Sequence, residues 1–245
     1  MPGRSYKTEA VVLRSLRYGE ADRILHLYTA ERGRVGAIAK GIRKMRSRVG
    51  GRLEPFSHVA LVLHRGAGEL HTVTSVDLVR SHAAVREAPD RLRVASIGAE
   101  AMLRLFSEPE ANPRAFTALV RFLDALDGTP VGGRAERDPL GLAFQLKLLW
   151  LSGYLPHVTA CVECGAREGL AGFSPRAGGA VCHAHAAGSA PVSPEGLAGI
   201  ERLLSTPLAE AHAAGLGERA RREALTVVTS SYEEHGGFRL RTLSA

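Results

Sequence analysis

No run of about 18 apolar residues occurs in this 245-residue chain, which excludes a helix able to cross a bilayer. The opening stretch, Met1-Pro-Gly-Arg-Ser-Tyr6, offers no apolar core of the kind that directs secretion, so the cytoplasm is the expected compartment. Also missing are the Gly-x4-Gly-Lys-Ser/Thr phosphate loop, the Gly-x-Gly-x-x-Gly turn, the Gly-x-Ser-x-Gly elbow and the His-Glu-x-x-His pair. Nucleotide hydrolysis and the common hydrolase chemistries therefore have no support, and a non-catalytic protein independent of nucleotide is expected. Carboxylates are sparse and scattered in the first 80 residues (Glu9, Glu20, Asp22, Glu31, Glu54, Glu69, Asp77), which argues against a metal-dependent nuclease. Aromatic residues make up only 5%, and the first third holds just Tyr6, Tyr18, Tyr28 and Phe56. Any nucleic acid bound there would be held by charge more than by base stacking, with weak sequence preference.

The net charge of +7 is unevenly placed. Residues 1–80 carry 15 Lys/Arg and 7 Asp/Glu, or +8, whereas the remainder carries 17 and 18, or −1. One basic module beside a neutral one points to a polyanionic partner for that module. Its pattern is that of strands: Val11 and Leu13 alternate with Val12 and Arg14, and Leu25 and Leu27 with Ile24, His26 and Tyr28. Val59 to His64 is apolar on both faces, and a last strand from Leu70 to Leu78 places Leu70, Thr72, Thr74, Val76 and Leu78 on one side. Gly19, Gly33, Gly36, Gly50, Gly51, Gly66 and Gly68 supply the turns. Five short strands in about 75 residues suit a small barrel of the oligonucleotide-binding (OB) type.

Helical spacing takes over near Ser81. Asp90 is expected to cap a helix with Leu92, Ala95, Ala99, Met102, Leu103 and Phe106 on its apolar stripe. Asn112-Pro113 begins another, with Phe116, Leu119, Val120, Leu123 and Leu126. Asp138-Pro139 opens a helix apolar nearly all round, from Leu140 to Trp150 and Leu151, which predicts the buried centre of a bundle. Ser193-Pro194 and a segment near 218–234 begin the last two. The fold class is thus α+β: an OB-type five-stranded barrel over 1–80, then an all-α domain over 81–245 interrupted by an irregular insert.

That insert, at about 157–190, holds all three cysteines. Cys161-x-x-Cys164 is followed after 17 residues by Cys182-x-x-His185, the paired-knuckle spacing of a zinc ribbon. The glycine-rich spacer lacks the apolar surface to order itself, so a closed structural Zn2+ site would stand in for a core. His185 repeats the spacing of the first knuckle, with His183 the alternative fourth ligand. Cysteines packed as small hydrophobes, or a redox pair, are the competing readings; the latter lacks the helix start it needs after its first cysteine.

Lys40, Arg43, Lys44, Arg46, Arg48 and Arg52 place six cations in 13 residues, with no acid before Glu54; Arg34 precedes them and Arg65 follows. Guanidinium forks and ammonium groups suit phosphate oxygens. Six neutralised phosphates on a single strand would give log K a salt slope of about −4. The competing reading is a solvated charge run; its position inside a β-module favours binding.

The series Ala10-Val-Val-Leu-Arg-Ser15, Tyr18-Gly-Glu-Ala-Asp-Arg23, Tyr28-Thr-Ala-Glu-Arg-Gly33, Ala39-Lys-Gly-Ile-Arg43 and Leu53-Glu-Pro-Phe56 resembles the RecO family of bacterial recombination mediators. The helix ending Trp150-Leu-Ser-Gly-Tyr-Leu-Pro156 and the cysteine knuckle after it also match, so the resemblance spans most of 7–186. It implies an OB barrel and a helical domain with a zinc finger. It further implies binding of single- and double-stranded DNA, annealing of complementary strands, and, with RecR, help for RecA in replacing single-stranded-DNA-binding protein. A cytoplasmic, nucleoid-associated location and DNA contact by Lys40, Arg43, Lys44, Arg46, Arg48 and Arg52 follow from it. The docking pocket for single-stranded-DNA-binding protein is expected in the helical domain, without assigned residues. The family's zinc-bearing members commonly show four cysteines; here His185 holds the fourth place. An RNA- or ribosome-associated protein, a scaffold in which the basic loop is incidental, and an enzyme of an unfamiliar kind that turns over nucleic acid are the alternatives.

Overall fold

The computed structural model describes residues 5–42 and 50–243. Alternating side chains in the first third produce β1 (Ser5–Tyr18), β2 (Asp22–Thr29), β3 (Gly33–Ala39), β4 (His58–Arg65) and β5 (His71–Arg80). They close into the expected five-stranded barrel in the order β1-β2-β3-β5-β4. Neighbours are antiparallel except β3 and β5, which run parallel through Ala37 opposite His71 and Ile38 opposite Thr72. Closure depends on the length of β1. Its first half, from Ser5, pairs with β4, and its second half, to Tyr18, pairs with β2. A bulge between Val12 and Arg14 re-aims the strand within its pairing to β2. Inside lie Ala10, Val12, Leu25, Leu27, Val35, Ala37, Val59, Leu61, Leu63 and Val76.

Two details of the strands differ from the sequence reading. In β5 a register shift opposite Val62 and Leu63 turns the alternation over, so Val73 rather than Thr72 or Thr74 joins Val76 at the core. Leu70 and Leu78 are left exposed. Gly33, at φ 60°, turns the chain from β2 into β3, and a Cβ there would run into the carbonyl of Glu110.

The helices are α1 (Ala83–Glu87), α2 (Pro89–Leu105), α3 (Pro113–Gly128), α4 (Pro139–Leu151), α5 (Pro194–Ser205) and α6 (Glu218–Gly236). Strands give way to helices where expected, near Ser81, but the compact units are drawn by contacts. One unit runs to Pro89 and takes in Phe106–Asp127; the other comprises Asp90–Leu105 and everything from Gly128 onward. Within the first, Tyr28 meets Phe106 edge-on at 6.1 Å and His58 meets Phe116 at 5.6 Å, so the Phe106–Asp127 segment belongs with the barrel. His82, wholly buried, ties the same elements through Nδ1 to the Phe56 carbonyl and Nε2 to Asp124, both at 2.8 Å.

Cap chemistry positions three helices as anticipated. Asn112 Oδ1 accepts from the Ala115 amide, Asp138 from Gly141 and Ser193 from Gly196, each at 3.0–3.1 Å. Asp90 does not cap α2: the helix begins at Pro89, and Asp90 lies in its first turn, where a negative charge is still favoured. Ala95, Ala99 and Met102 of the expected stripe are buried, and the face widens to take in Val94, Ile97 and Ala101, while Leu92 is exposed. In the second unit α4 is the buried centre, with Leu140, Leu142, Phe144, Leu146, Leu148 and Leu149 sealed. Trp150 is the exception, 50% exposed one residue before the helix ends.

Asp138 is the main polar anchor of that unit, accepting from the Gly132 amide at 2.7 Å, Gly141 at 3.0 Å and His212 Nε2 at 2.8 Å. Burial pushes its carboxyl up, but these donors outweigh it and hold it below the usual carboxylate range. A depressed folded value means that the ionised form contributes stability at neutral pH, which is lost as acid titrates the folded carboxylate. Asp138→Ala is expected to lower unfolding free energy by about 3 kcal/mol, through the lost cap and orphaned donors. Urea melts at neutral pH should show that loss, and the difference from wild type should shrink in acid.

Candidate metal centre and nucleic-acid interface

The insert is more ordered than an irregular loop. β6 (Leu170–Ser174), β7 (Gly179–Cys182) and β8 (Ala190–Pro191) form a three-stranded sheet in the order β7-β6-β8. Gly178, at φ 75°, makes the turn between the first two, which the glycine-rich spacer was suited to do. Cys161 and Cys164 lie on a tight turn in which the Gly165 amide donates to the Cys161 carbonyl at 2.8 Å. Cys182 ends β7, and a single 3-10 turn over His183–His185 brings the imidazole back toward it.

The donor atoms of Cys161, Cys164, Cys182 and His185 all lie within 4.8 Å of one another. Cys164 and Cys182 sulfurs are 3.9 Å apart; His185 Nδ1 is 3.3 Å from Cys182 Sγ and 3.7 Å from Cys161 Sγ. The edge of a tetrahedron built on Zn–S bonds of about 2.3 Å is about 3.8 Å, so the quartet has the size such an ion needs. The cysteines are free thiols, and 3.9 Å is far beyond a disulfide. His185 supplies the fourth donor through Nδ1, while His183 stands outside the quartet.

The electrostatics favour the thiolate at Cys161 and Cys182. At Cys164 the downward pull of the Ala166 amide is outweighed by Cys161 and burial. His185 must give up the proton its raised value favours before Nδ1 can ligate. Burial alone would push the Cys161 thiol up, but the backbone amides of Cys182, Cys164 and Glu163 bring it down to about 6. Hydrogen bonding to His185 likewise lowers Cys182, while Cys182 and Cys161 raise His185. Among the described residues no other group of three or more Cys, His, Asp or Glu is arranged to hold a metal.

The expected cationic cradle is divided. Arg43, Lys44, Arg46 and Arg48 lie outside the described residues. Arg34 points outward from β3, near Arg14 of β1 and His26 of β2; Arg14 and His26 are opposite one another in the β1–β2 register. Burial first, then the charges of Arg34 and Arg14, hold His26 below the ordinary histidine value. Lys40, exposed, follows the far end of β3 beside Gly41, whose amide donates to Asp22 at 2.7 Å. Arg52 is engaged, donating to the Val76 carbonyl at 2.8 Å with Asp77 3.7 Å away. Arg65 ends β4 at the opposite mouth of the barrel, across from His71.

The outward face of β1, β2 and β3 therefore carries Arg14, His26 and Arg34 beside exposed Leu16 and Tyr18 and half-buried Ile24 and Ile38. Neither Arg14 nor Arg34 has a carboxylate within ion-pair distance among the described residues. Leu70, from the turn before β5, overhangs Gly36 closely enough to touch a Cβ placed there. Arg14 was not singled out from the sequence. Strand parity in the sequence sets Arg14 on the side of Val12, which lies in the core, and it is the bulge between them that turns Arg14 outward. Of the four aromatics in this module only Tyr18 is free to stack: Tyr28 meets Phe106, Phe56 is buried, and Tyr6 lies under Arg32.

No helix among the described residues is long and apolar enough to cross a membrane. Comparison with known proteins places the chain as a whole. The family model "Recombination protein O N terminal" matches residues 1–82, and "Recombination protein O C terminal" matches 86–244. The chain is 45% identical over 225 residues to "DNA repair protein RecO" of Rubrobacter xylanophilus, covering 89% of this chain and 88% of that one. It is 39% identical over 240 residues to the protein of the same name from Anaeromyxobacter sp. (strain K), covering 96% and 92%. Against that of Pelotomaculum thermopropionicum it is 40% identical over 208 residues, covering 83% and 78%.

Proposed function

The chain belongs to the RecO family, and from that premise we propose that it acts in DNA repair as a non-catalytic recombination mediator. On this reading it binds single- and double-stranded DNA, anneals complementary strands and, with RecR, helps RecA displace single-stranded-DNA-binding protein in the cytoplasm, at the nucleoid. The observation that carries the reading is the open β1–β2–β3 face, where Arg14 and Arg34 flank apolar side chains without carboxylate partners among the described residues. OB barrels take oligonucleotides on the face of their second and third strands and the adjoining loops.

Phosphates would be held by Arg14 and Arg34, with Lys40 after β3, Arg52 beside β5, and Arg43, Lys44, Arg46 and Arg48, which lie outside the described residues, between them in sequence. Arg52 would first have to leave the Val76 carbonyl. The exposed flanks of Leu16, Ile24 and Ile38 give bases an apolar surface to lie on, and Tyr18 gives one ring. Neutralising two backbones on one small module lowers their mutual repulsion, so pairing proceeds without nucleotide turnover. The Cys161, Cys164, Cys182, His185 quartet would hold one structural Zn2+, which supplies folding energy and leaves no open coordination position.

The direct test is annealing of complementary strands coated with single-stranded-DNA-binding protein, in the absence of ATP. Annealing accelerated by the protein, and slowed as salt rises, is the expected result. No acceleration, or a requirement for ATP, overturns the reading.

A further inference from the structure

At the mouth of the barrel where β1 and β5 begin, four side chains form a cluster apart from the β1–β2–β3 face. Tyr6, at the start of β1, is half-buried against the core. The Arg32 guanidinium, from the turn between β2 and β3, lies over its ring at 4.2 Å. The hydroxyl of Tyr6 is 2.6 Å from His71 Nδ1, and the two rings meet edge-on at 5.6 Å. Arg65 is the cross-strand neighbour of His71.

The cluster has more positive charge than it can use internally. Glu31 is the nearby carboxylate, and Thr8 already donates to it. Among the described residues neither Arg32 nor Arg65 has a carboxylate within ion-pair distance. With the Tyr6 hydroxyl donating to Nδ1, His71 keeps its proton on Nε2, and that N–H has no partner among the described residues. Two guanidinium groups and an unspent ring N–H converging at one opening suit a phosphate group.

We propose that Tyr6, Arg32, Arg65 and His71 form a second phosphate-binding site, which takes a phosphate of a second nucleic-acid strand while the first lies on the β1–β2–β3 face. The choice of ligand rests on the DNA-binding reading above; the site itself rests on the cluster. Tyr6 positions His71 and Arg32 and makes no phosphate contact of its own.

The site also has a pH signature. His71 is held below the ordinary histidine value by burial, then by the charges of Arg65 and Arg32. The charged or titratable groups near it are Tyr6, Glu31, Arg32, Arg65 and His64, whose Nδ1 is occupied by Ser5 at 3.0 Å. A bound phosphate offsets the two arginines and favours the charged imidazole, so second-strand binding should strengthen as pH falls through the His71 range.

The full chain, the R32A/R65A and R14E/R34E variants, and the charge-preserving R32K/R65K variant test this. Two non-complementary oligothymidylates carrying donor and acceptor dyes report whether one protein holds two strands, with stoichiometry from sedimentation. Wild type is expected to bind two, R32A/R65A one, and R32K/R65K two again. Loss of the one phosphate neutralised by this cluster should make the salt slope of whatever second-strand binding remains shallower by about 0.7. Strands with 5′-phosphate and 5′-hydroxyl ends separate a chain-end phosphate from an internal phosphodiester, and inorganic phosphate should shift the His71 ring resonances. Two strands still bound by R32A/R65A, only one bound by wild type, or a second step competed by polyglutamate but insensitive to oligonucleotide, overturns the inference. Failure of the DNA-binding reading itself looks different, since then R14E/R34E leaves the first binding step unchanged.

Discussion

Cys182→Ala should release about one equivalent of zinc per chain and unfold the segment from about 157 to 192. The apparent binding energy of a structural zinc site is about 10–16 kcal/mol, far more than this segment can replace from its own packing. The cluster around the quartet is Cys161, Val181 and Cys182, with Val162, Leu170 and Ala186 alongside, and the segment adds Phe173 as its one large fully buried side chain, with Val158, Ala180 and Val192 also buried. Ordering more than thirty residues costs about 1–2 kcal/mol of backbone entropy each, so the sheet of β6, β7 and β8 cannot stand on that cluster alone. Elemental analysis should fall from one zinc to none, and protease should cut between Cys164 and Cys182 while the barrel stays resistant. His185→Cys should keep the metal, since thiolate replaces imidazole in the same tetrahedron, and His183→Ala should change nothing. Full zinc content in His185→Ala would sink the assignment of the fourth ligand.

Reversing Arg14 and Arg34 together (R14E/R34E) should weaken single-stranded DNA binding by about 100-fold at about 0.1 M salt. Each substitution removes a phosphate contact and sets a carboxylate against the backbone, and like-charge juxtaposition costs several kcal/mol. The slope of log K against log salt should become shallower by about 1.4, or 0.7 for each lost contact. Fluorescence anisotropy at three or more salt concentrations reads both quantities. The same reversal at Arg52 should do less, because its guanidinium is already spent on Val76 and Asp77. Equal losses from Arg52→Glu and R14E/R34E would mean that the face is not where the strand lies.

What could be read ahead of the structure was whatever is local. Asn112, Asp138 and Ser193 each pair a short acceptor with a following proline, and each starts a helix where that chemistry demands. The metal quartet was visible because two knuckles of fixed spacing need only a hairpin to bring them together. The parity of β5 was not visible, because the shift opposite Val62 and Leu63 is set by pairing with another strand. Nor was the division of the cations. Lys40 and Arg65 lie at opposite mouths of the barrel because β3 and β4 are antiparallel members of one closed sheet, and separation along the chain does not reveal that. The place of α3 depends on His58 meeting Phe116 and His82 meeting Asp124, contacts between residues 42 or more apart.

That last arrangement bears on how the protein is made. The chain completes the strands of the barrel by Arg80, departs into α2, which is counted with the other unit, and only then supplies Phe106 and α3 to the barrel. On the ribosome, Tyr28 and His58 therefore wait for their aromatic partners, Phe106 and Phe116, to emerge. During that interval α2 also waits, since Gly141, which lies against Val94, and the Arg241 and Thr242 amides held by Glu100 are still unsynthesised. Vectorial synthesis thus leaves the aromatic contacts of the barrel and the apolar face of α2 unpartnered at once, an interval in which exposed apolar surface favours aggregation.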